Sequence, residues 1–598
     1  MQADIFERKK QLGRDKVSNL INWGHWFAFI NGLLAMMVGW SYIASIGEPE
    51  TFISVAYLSL YTLGQFTFLA FIVYLVFIFP ITIFLPYSRI LRGFAAVIAT
   101  LGLCTLIYDT IVFEDYGLHL SPFAFELAWG DISSLVQSTS YLAIPIAILI
   151  FQLTLSNFLW KRIVKIQRKN YGPKVLFVVG AAFISSHLIH IWADATNYID
   201  ITRYDDAYPV SYPATAKTFM ESHGFERPTQ VKRPQGEKVL SYPMSPLQCQ
   251  ANSTPNILMI AVKSLRSDVV NNETMPFLSQ YAQKNISFNN HLTGGTQFNS
   301  SMFSLLYSLQ TSYMDNAAFN YTSPIFTREL KKKGYNLEFF STKTQLNYTQ
   351  PKAMFADFEK TFARPHANST VSDLDKIESF QKWQHHQSKP WFSVITLDST
   401  STYDTPVGFL GIKTIKTPKD YSPAQRVLFN QYRQSAYFVD KQIEMLVESL
   451  PKNTLVVIAG INGNVLKIND NNYKDLLSPD NVNVPLIMHL PNSGSKVINY
   501  RTSHYDFVPT MLTQVFGCTN PVSDYSSGST LLSPSDYNWV YVGDQRIFAI
   551  YQKNETTVID RHGKYRIYDP EFKYRLKKKM SAPELIQVMR EGRRLYNN

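Results

Sequence analysis

Five long apolar runs occupy the first third of this 598-residue chain and restrict its fold more than any other feature. A helix crosses a bilayer core with about 20 apolar residues, and a spanning segment must satisfy its own backbone polar groups. The runs lie at 24–45, 56–86, 92–113, 138–160 and 173–194. The sequence therefore predicts a membrane domain of five transmembrane helices over residues 1–195. Pro80 and Pro86 predict that the second helix tilts, kinks or ends early.

The distribution of basic residues orients these helices. Lys and Arg are frequent before the first run, between the second and third, and between the fourth and fifth, and they are absent from the other two loops. Because cytoplasmic loops carry the excess of positive charge, the N-terminus is predicted to be cytoplasmic and the chain after residue 195 periplasmic, in a Gram-negative inner membrane. The net charge of +11 then favours anionic lipid over nucleic acid as a partner.

Three ionisable residues recur at helical spacing near the end of the fifth run: His187, His190 and Asp194. They share one face of the predicted helix. Two interpretations are open. The cluster couples the membrane helices to the outer domain, or it is hydrogen-bonded to neighbouring helices near the interface, and the second interpretation is favoured.

Residues 196–250 are rich in Pro, Tyr and charge, with little periodicity, and are predicted to be a periplasmic linker. Within them "SYPATAKTFMESHG" predicts a short amphipathic helix, with Pro213 at an early helical position. The side chains of Thr215, Lys217 and Thr218 would there meet lipid phosphates, helped by free N–H groups at the helix start. An ordinary linker helix is an equally good interpretation.

From residue 251 to 598 apolar strands alternate with helical stretches. The strand candidates are "NILMIAV", "NLEFFS", "WFSVITL", "TLVVIAG" and "VPLIMHL". This alternation predicts an α/β domain with a mostly parallel sheet, whose functional site lies at the carboxyl ends of the strands. Cys249 and Cys518 either form a disulfide or remain two unpaired buried thiols, and the sequence leaves both possibilities open.

The segment "NILMIAVKSLRSDVV", followed by "TMPFLSQY" and "GGTQFNSSMFSLLYSL", resembles the opening of an alkaline-phosphatase/sulfatase-superfamily domain. Such domains bind divalent metals with carboxylates and histidines and attack with a Thr, Ser or modified Cys. Here Lys263 stands where the first metal-binding acid is expected, and Phe298 stands where the nucleophile is expected. Ile461 and Asn462 replace an Asp–His pair. A single surviving His cannot hold a catalytic divalent ion.

The surviving ligand is His504, in "TSHYDFVPTML". It is interpreted as structural, bonded to Asp506 or to a backbone carbonyl. The concerted losses predict an inactive domain with no catalytic residues, no metal and no cofactor.

Five oriented spans, a linker and a degenerate sulfatase-like domain together resemble the YejM family, also called PbgA or LapC, whose membrane region is of the DUF3413 type. The resemblance covers the whole chain, including "LSLYTLGQF" and "SYPATAKTFMESHG". It implies a non-catalytic inner-membrane regulator of lipopolysaccharide synthesis. Such a regulator senses lipid A at the periplasmic leaflet and acts through the adaptor LapB, which serves the protease FtsH in degrading LpxC.

The family's lipid A contact matches "SYPATAKTF", where members carry a Thr and then a pair of Arg residues after an Ala. Thr215 is kept, but the Arg pair is Lys217–Thr218 here. A bidentate guanidinium clamp on phosphate is therefore absent, and a different affinity or lipid preference is expected.

Two other functions remain open from sequence. The first is an active lipid phosphotransferase or hydrolase with a non-standard nucleophile among Thr296, Ser300 and Ser301. The second, ranked lower, is cardiolipin binding or transport, because the spans carry no internal repeat of the transporter kind. The lipid's identity, the residues that contact a protein partner and the oligomeric state are not determined by the sequence.

Overall fold

The structure is a computed structural model of the chain. It describes residues 2–598 apart from 47–48, 50, 117–118, 121–138, 197, 206, 217–239, 251–253, 347–348, 365–367, 418–420, 467–472, 492, 536–537, 545–546, 561–563, 581 and 597–598. The chain divides into two compact units, Met1–Glu237 and Lys238–Asn598.

The first unit contains, among the described residues, five helices long and apolar enough to cross a membrane. Their candidate spans are Val17–Ala44, Phe52–Phe84, Ser88–Glu114, Ala143–Arg168 and Gly172–Ala195. They match the five predicted runs, which confirms this part of the fold. The helices themselves are Gln2–Ile46, Phe52–Val73, Phe79–Phe84, Ser88–Tyr116, Thr139–Arg168, Gly172–Ala195 and the short Ile199–Thr202. The second span is interrupted by a π-helical turn, Tyr74–Ile78, just before Pro80.

Glycines let the first and second spans approach closely. A Cβ on Gly24 would lie 2.3 Å from the Tyr74 ring, and a Cβ on Gly39 would lie 2.1 Å from the Phe66 ring. Both rings are buried. Small residues that admit a neighbouring side chain are the usual means of helix association in a bilayer, where lipid is as apolar as the protein.

After the fifth span the chain folds back onto the membrane unit. We call residues 198–216 the post-span segment. Its rings Tyr204 and Tyr208 are buried, and Tyr208 shares a 2.5 Å hydrogen bond with the Thr62 hydroxyl. The Gln65 amide donates to the Val210 carbonyl at 3.1 Å. The start of the predicted linker is therefore packed structure.

An eight-stranded sheet forms the centre of the second unit. Its strands are β1 Asn256–Val262, β2 Ile286–Phe288, β4 Asn336–Ser341, β5 Glu359–Phe362, β6 Trp391–Leu397, β7 Thr454–Gly460, β8 Leu486–His489 and β9 Lys496–Ile498. They lie in the order β5-β4-β6-β1-β7-β8-β2-β9. Of these strands only β8 runs opposite to the others, so the predicted mostly parallel α/β fold is confirmed. The short β3, His291–Leu292, pairs with β10, Thr502–Ser503, outside this sheet.

Alternation along β1 separates two apolar layers. Ile257, Met259 and Ala261 belong to one core cluster, while Leu258 and Ile260 belong to the other. Helices cover both faces of the sheet, as parallel sheets require. The α-helices of this unit are Pro276–Lys284, Phe298–Tyr307, Met314–Phe319, Ile325–Lys332, Thr349–Met354, Ser369–His385, Ser399–Thr402, Pro423–Glu448, Pro479–Val482, Phe507–Thr510 and Ala582–Glu591.

A second, antiparallel sheet follows near the C-terminus. Its strands pair in chain order. They are β11 Trp539–Gly543, β12 Ile547–Gln552, β13 Thr556–Asp560, β14 Tyr565–Tyr568 and β15 Arg575–Leu576.

Cys249 and Cys518 form a disulfide that joins positions 269 residues apart. Of the two possibilities left open by the sequence, the structure has the bridged one. The bond lies wholly within the second unit, so residues 238–250 of the predicted linker group with the outer domain.

Candidate functional site

The carboxyl edge of the central sheet brings together most of the positions singled out in the sequence. Because β6, β1 and β7 are parallel neighbours, Val262 lies beside Leu397 on one side and Gly460 on the other. The residues that follow these three strands, Lys263, Asp398 and Ile461, therefore meet at one edge. This is where ligands bind in open α/β sheets.

Four charged side chains form what we call the sheet-edge cluster: Lys263, Asp373, Lys376 and Asp398. The Lys376 ammonium lies 2.7 Å from Asp373 and 2.9 Å from Asp398, and its side chain is fully buried. The Lys263 ammonium lies 3.9 Å from Asp398, and its side chain is about one-third exposed. The Gln345 amide adds a 3.0 Å hydrogen bond to Asp398.

The sheet-edge cluster is balanced in charge. Burial alone would raise the pKa of Asp398, but the ammonium groups of Lys376 and Lys263 hold that pKa below its ordinary value. Burial likewise opposes the charge on Lys376, yet the two carboxylates raise its pKa. Two carboxylates and two ammonium groups leave no net negative charge to attract a cation.

Phe298 begins the helix Phe298–Tyr307, and the Lys263 ammonium lies 5.7 Å from the centre of its ring. The hydroxyl-bearing residues nearby, Thr296, Ser300 and Ser301, are all buried. The Ser300 hydroxyl is used in the helix cap, where it donates to the Gln297 carbonyl and accepts from the Gln297 N–H. A nucleophile must reach its substrate, and none of the three alternatives does so in this arrangement.

Ile461 and Asn462 connect strands. The Ile461 N–H donates to the Val262 carbonyl at 2.9 Å, and its side chain is fully buried in the apolar core. The Asn462 amide oxygen accepts from the Ser264 N–H at 3.4 Å, and its NH₂ group donates to the Gly463 carbonyl at 2.9 Å. Both residues hold the loops after β1 and β7 together.

His504 lies beneath this edge and is fully buried. Burial lowers the pKa of its imidazole to about 4. Nε2 of the ring lies 3.3 Å from the Gly460 carbonyl oxygen, and Nδ1 lies 3.3 Å from both the Thr293 hydroxyl and the Ser301 carbonyl oxygen. A neutral ring carries one N–H and donates to one of these two carbonyls. Asp506 is not its partner, because that carboxylate accepts from other groups, including the Ser503 N–H at 2.7 Å. The ring of His291, also buried, lies 5.2 Å away.

The superfamily implies a divalent metal, and the residues present do not fit one. Within the part of the chain that the structure describes, no three His, Cys, Asp or Glu side chains are grouped so that they could hold an ion. His504 and His291 belong to a buried core, while both acids of the sheet-edge cluster are already paired with Lys376.

The second candidate region lies in the membrane unit, where His187 and His190 fix the post-span segment. The His190 ring contacts the Ala214 carbonyl at 2.8 Å through Nδ1 and Asp205 at 2.7 Å through Nε2. The Ala214 N–H donates to Nδ1 of His187 at 3.3 Å. Both backbone polar groups of Ala214 are thus held by the fifth span, and the next residue, Thr215, is exposed.

These contacts correct two sequence expectations. The favoured interpretation of His187 and His190, bonding to neighbouring helices, is wrong, because their partners lie in the segment that follows their own helix. The predicted helix at Pro213 is also wrong for residues 213–216, which are in no helix. In place of a helical ladder, the carbonyl and the N–H of Ala214 bond to His190 and His187 of the fifth span. Lys217, Thr218 and the rest of that predicted helix lie outside the described residues.

Sequence reasoning missed Asp373, Lys376 and Asp398. Asp398 had a usable signal, since it follows the candidate strand "WFSVITL" directly, at the same edge as Lys263. Lys376 lies on the helix Ser369–His385 and reaches the edge only through packing, so no local pattern marks it.

Two family models match adjacent parts of the chain. Residues 10–249 match a domain of unknown function, DUF3413, and residues 255–517 match the sulfatase family. The chain is 29% identical over 612 residues to the inner membrane protein YejM of Salmonella typhimurium, covering 98% of this chain and 99% of the relative. It is 30% identical over 575 residues to an uncharacterized protein of Haemophilus influenzae, covering 94% and 93%.

Solved structures align with part of the chain. A protein of the alkaline phosphatase superfamily from Vibrio parahaemolyticus aligns with a TM-score of 0.46 at 14% identity, covering 60% of this chain and 88% of that one. The lipoteichoic acid synthase LtaP of Listeria monocytogenes aligns with a TM-score of 0.44 at 14% identity, covering 58% and 94%.

Five candidate spans joined to a parallel α/β unit define a membrane-anchored protein of the sulfatase superfamily. With full-length similarity on both sides of the junction, the chain belongs to the YejM family of multi-pass inner membrane proteins.

Proposed function

We propose that this chain is a non-catalytic sensor of lipid A at the periplasmic leaflet of the inner membrane, and that it regulates lipopolysaccharide synthesis through LapB and the FtsH-dependent degradation of LpxC. One observation carries the proposal. At the sheet edge, where a sulfatase has its metal-binding acids, this chain has a neutral cluster of ion pairs, with the partly exposed Lys263 as one member.

Charge and access at the sheet edge support the non-catalytic half of the proposal. Metal-dependent transfer needs negatively charged ligands for the cation and a nucleophile that faces the substrate. The acids at this edge are bonded to Lys376, and the hydroxyls near Phe298 are buried or used in a helix cap. Lys263 adds a positive charge where a cation would have to bind.

The post-span segment supports the lipid-binding half of the proposal. Two histidines of the fifth span hold Ala214 by its backbone, so the exposed Thr215 begins the candidate lipid-contacting segment from a fixed position. A fixed hydroxyl followed in sequence by Lys217 and Thr218 suits a phosphate, which accepts hydrogen bonds and carries negative charge. A lysine supplies a point charge and no bidentate fork.

The test uses the full-length chain in nanodiscs and measures the retention of lipid A by mass spectrometry. Lys217→Glu is expected to reduce retention at least about tenfold, since it reverses the charge that faces the phosphate. Phe298→Ala, in the sheet-edge region, is the matched control and should leave retention unchanged.

Several outcomes would overturn the proposal. Unchanged lipid A retention in Lys217→Glu would exclude the assigned contact. Stronger retention of cardiolipin than of lipid A by the unaltered chain would favour the cardiolipin alternative. A stoichiometric divalent metal together with turnover of phosphodiesters or sulfate esters would establish an enzyme. If the amount of LapB captured by the chain did not change on addition of lipid A, the proposed regulation through LapB would be excluded.

A further inference from the structure

A loop of the second unit presents apolar side chains to solvent in a fixed conformation. The loop spans residues 405–417 and leads toward the long helix Pro423–Glu448. At its tip Val407 and Leu410 are 104% and 90% exposed. The loop contains two lysines, Lys413 and Lys416, and no acid.

Two amide side chains of the long helix hold this loop by its backbone. The Ile412 N–H donates to Oε1 of Gln434 at 2.9 Å, and the Gln434 NH₂ group donates back to the Ile412 carbonyl at 2.5 Å. Asn430, one turn earlier, makes the same pair of bonds to Ile415, at 3.0 and 3.3 Å. Each amide thus satisfies one donor and one acceptor, as a neighbouring strand would.

The tip is fixed from below as well. The Phe409 ring packs against Phe438 at 5.2 Å and Tyr437 at 5.8 Å between ring centres. The Phe409 N–H closes a turn onto the Pro406 carbonyl at 3.1 Å, and Gly408 supplies the left-handed conformation at φ +78°. Phe409 therefore anchors the turn, while its neighbours Val407 and Leu410 point away from the core. Exposed apolar side chains on a rigid support are typical of a contact surface.

The charge of this loop and the covalent link of its domain to the membrane unit indicate which partner the loop contacts. The chain joins the second unit covalently to five candidate membrane spans, so tethering favours a membrane surface as the partner. An apolar tip followed by two lysines matches an anionic leaflet, which takes apolar side chains below its headgroups and lysines beside its phosphates. Contact between the same loops of two copies would instead bring Lys413 and Lys416 of each copy together, and the like charges would repel.

We propose that residues 405–417 form a membrane-docking loop, with Val407 and Leu410 inserting into an anionic leaflet while Lys413 and Lys416 contact its headgroups. This surface is independent of the proposed lipid A site. It would act as a second attachment, made by the outer domain itself.

The experiment measures the depth of a nitroxide label in the full-length chain. Leu410→Cys is labelled in a Cys104→Ser background, because Cys249 and Cys518 are bridged. The chain is placed in nanodiscs of phosphatidylcholine alone or with phosphatidylglycerol. In the anionic discs we expect collisions with a water-soluble nickel relaxer to fall at least about fivefold relative to oxygen, as they do for a label below the headgroups. A label at Val497→Cys, on the exposed side of β9, is the control and should stay in water.

Charge variants separate the docking loop from general electrostatics. Lys413→Glu with Lys416→Glu should return the label at 410 to water. Lys452→Glu with Lys496→Glu, which make the same change in net charge at other exposed positions, should not. A water-accessible label at 410 in both kinds of disc would overturn the proposal. Dipolar broadening between labels would also overturn it, because it would identify a second copy as the partner.

Discussion

The sheet-edge cluster and the post-span segment use polar groups in opposite ways. At the sheet edge, buried lysine and aspartate side chains pair with one another until no net charge remains. At the end of the fifth span, two histidines fix the Ala214 backbone, and the exposed Thr215 follows it. The first region is a set of side chains that satisfy one another, and the second is a backbone segment held so that an exposed hydroxyl follows it.

The largest expected effect comes from breaking the ion pairs of the sheet-edge cluster. Lys376→Met would leave Asp373 and Asp398 buried without their shared cation, and we expect a loss of about 3–5 kcal/mol in the free energy of unfolding. Denaturant unfolding of the full-length chain in detergent measures it. Lys382→Met, on the same helix but in an exposed pair, should cost no more than about 0.5 kcal/mol. Equal losses would mean that the buried charges are not coupled.

The next test uses pH on the buried His504. Burial lowers the pKa of His504 in the folded state to about 4, from the ordinary imidazole value of 6.5, so the folded state resists protonation. The stability that this residue contributes is present above pH 6.5 and is lost as the pH falls toward 4. Between pH 7 and pH 5 we expect a loss of about 2 kcal/mol that is absent in His504→Asn. Parallel stability–pH curves for the two proteins would show that the ring is accessible to protons.

The post-span segment is tested at His190. His190→Ala removes the contacts to the partly exposed Asp205 and to the Ala214 carbonyl, which hold the post-span segment on the fifth span. We expect backbone hydrogen exchange in the post-span segment to accelerate about tenfold or more, and lipid A retention to fall with it. His386→Ala, at an exposed position of the second unit, serves as the control. Unchanged exchange would separate the histidines from the segment they contact.

The smallest expected effect is at Lys263, which stands where the first metal-binding acid of a sulfatase-like domain is expected. Its ammonium lies 3.9 Å from Asp398 on a partly exposed side chain, so Lys263→Met should change stability by less than about 1 kcal/mol. It should also leave lipid A retention unchanged. A gain of metal-dependent phosphatase activity in this variant would show that one substitution alone had silenced the centre.

The sequence predicted what depends on local pattern. The five spans follow from uninterrupted apolar runs, and the parallel sheet follows from apolar strands alternating with helical stretches. Of the sheet-edge cluster, the sequence indicated Lys263 but not Lys376, because Lys376 reaches Asp398 only through packing of the helix Ser369–His385. The fold-back after the fifth span was missed for a related reason. Residues 205–214 have no periodicity of their own and are ordered by contacts with the membrane helices.

The disulfide between Cys249 and Cys518 has a mechanical consequence. The segment that matches the sulfatase family, 255–517, lies wholly inside the covalent ring that this bond closes. A force applied between the chain before Cys249 and the chain after Cys518 passes through this bond and not along the backbone of the enclosed segment. The bridge therefore protects the backbone of the central sheet from tension between the two ends of the ring.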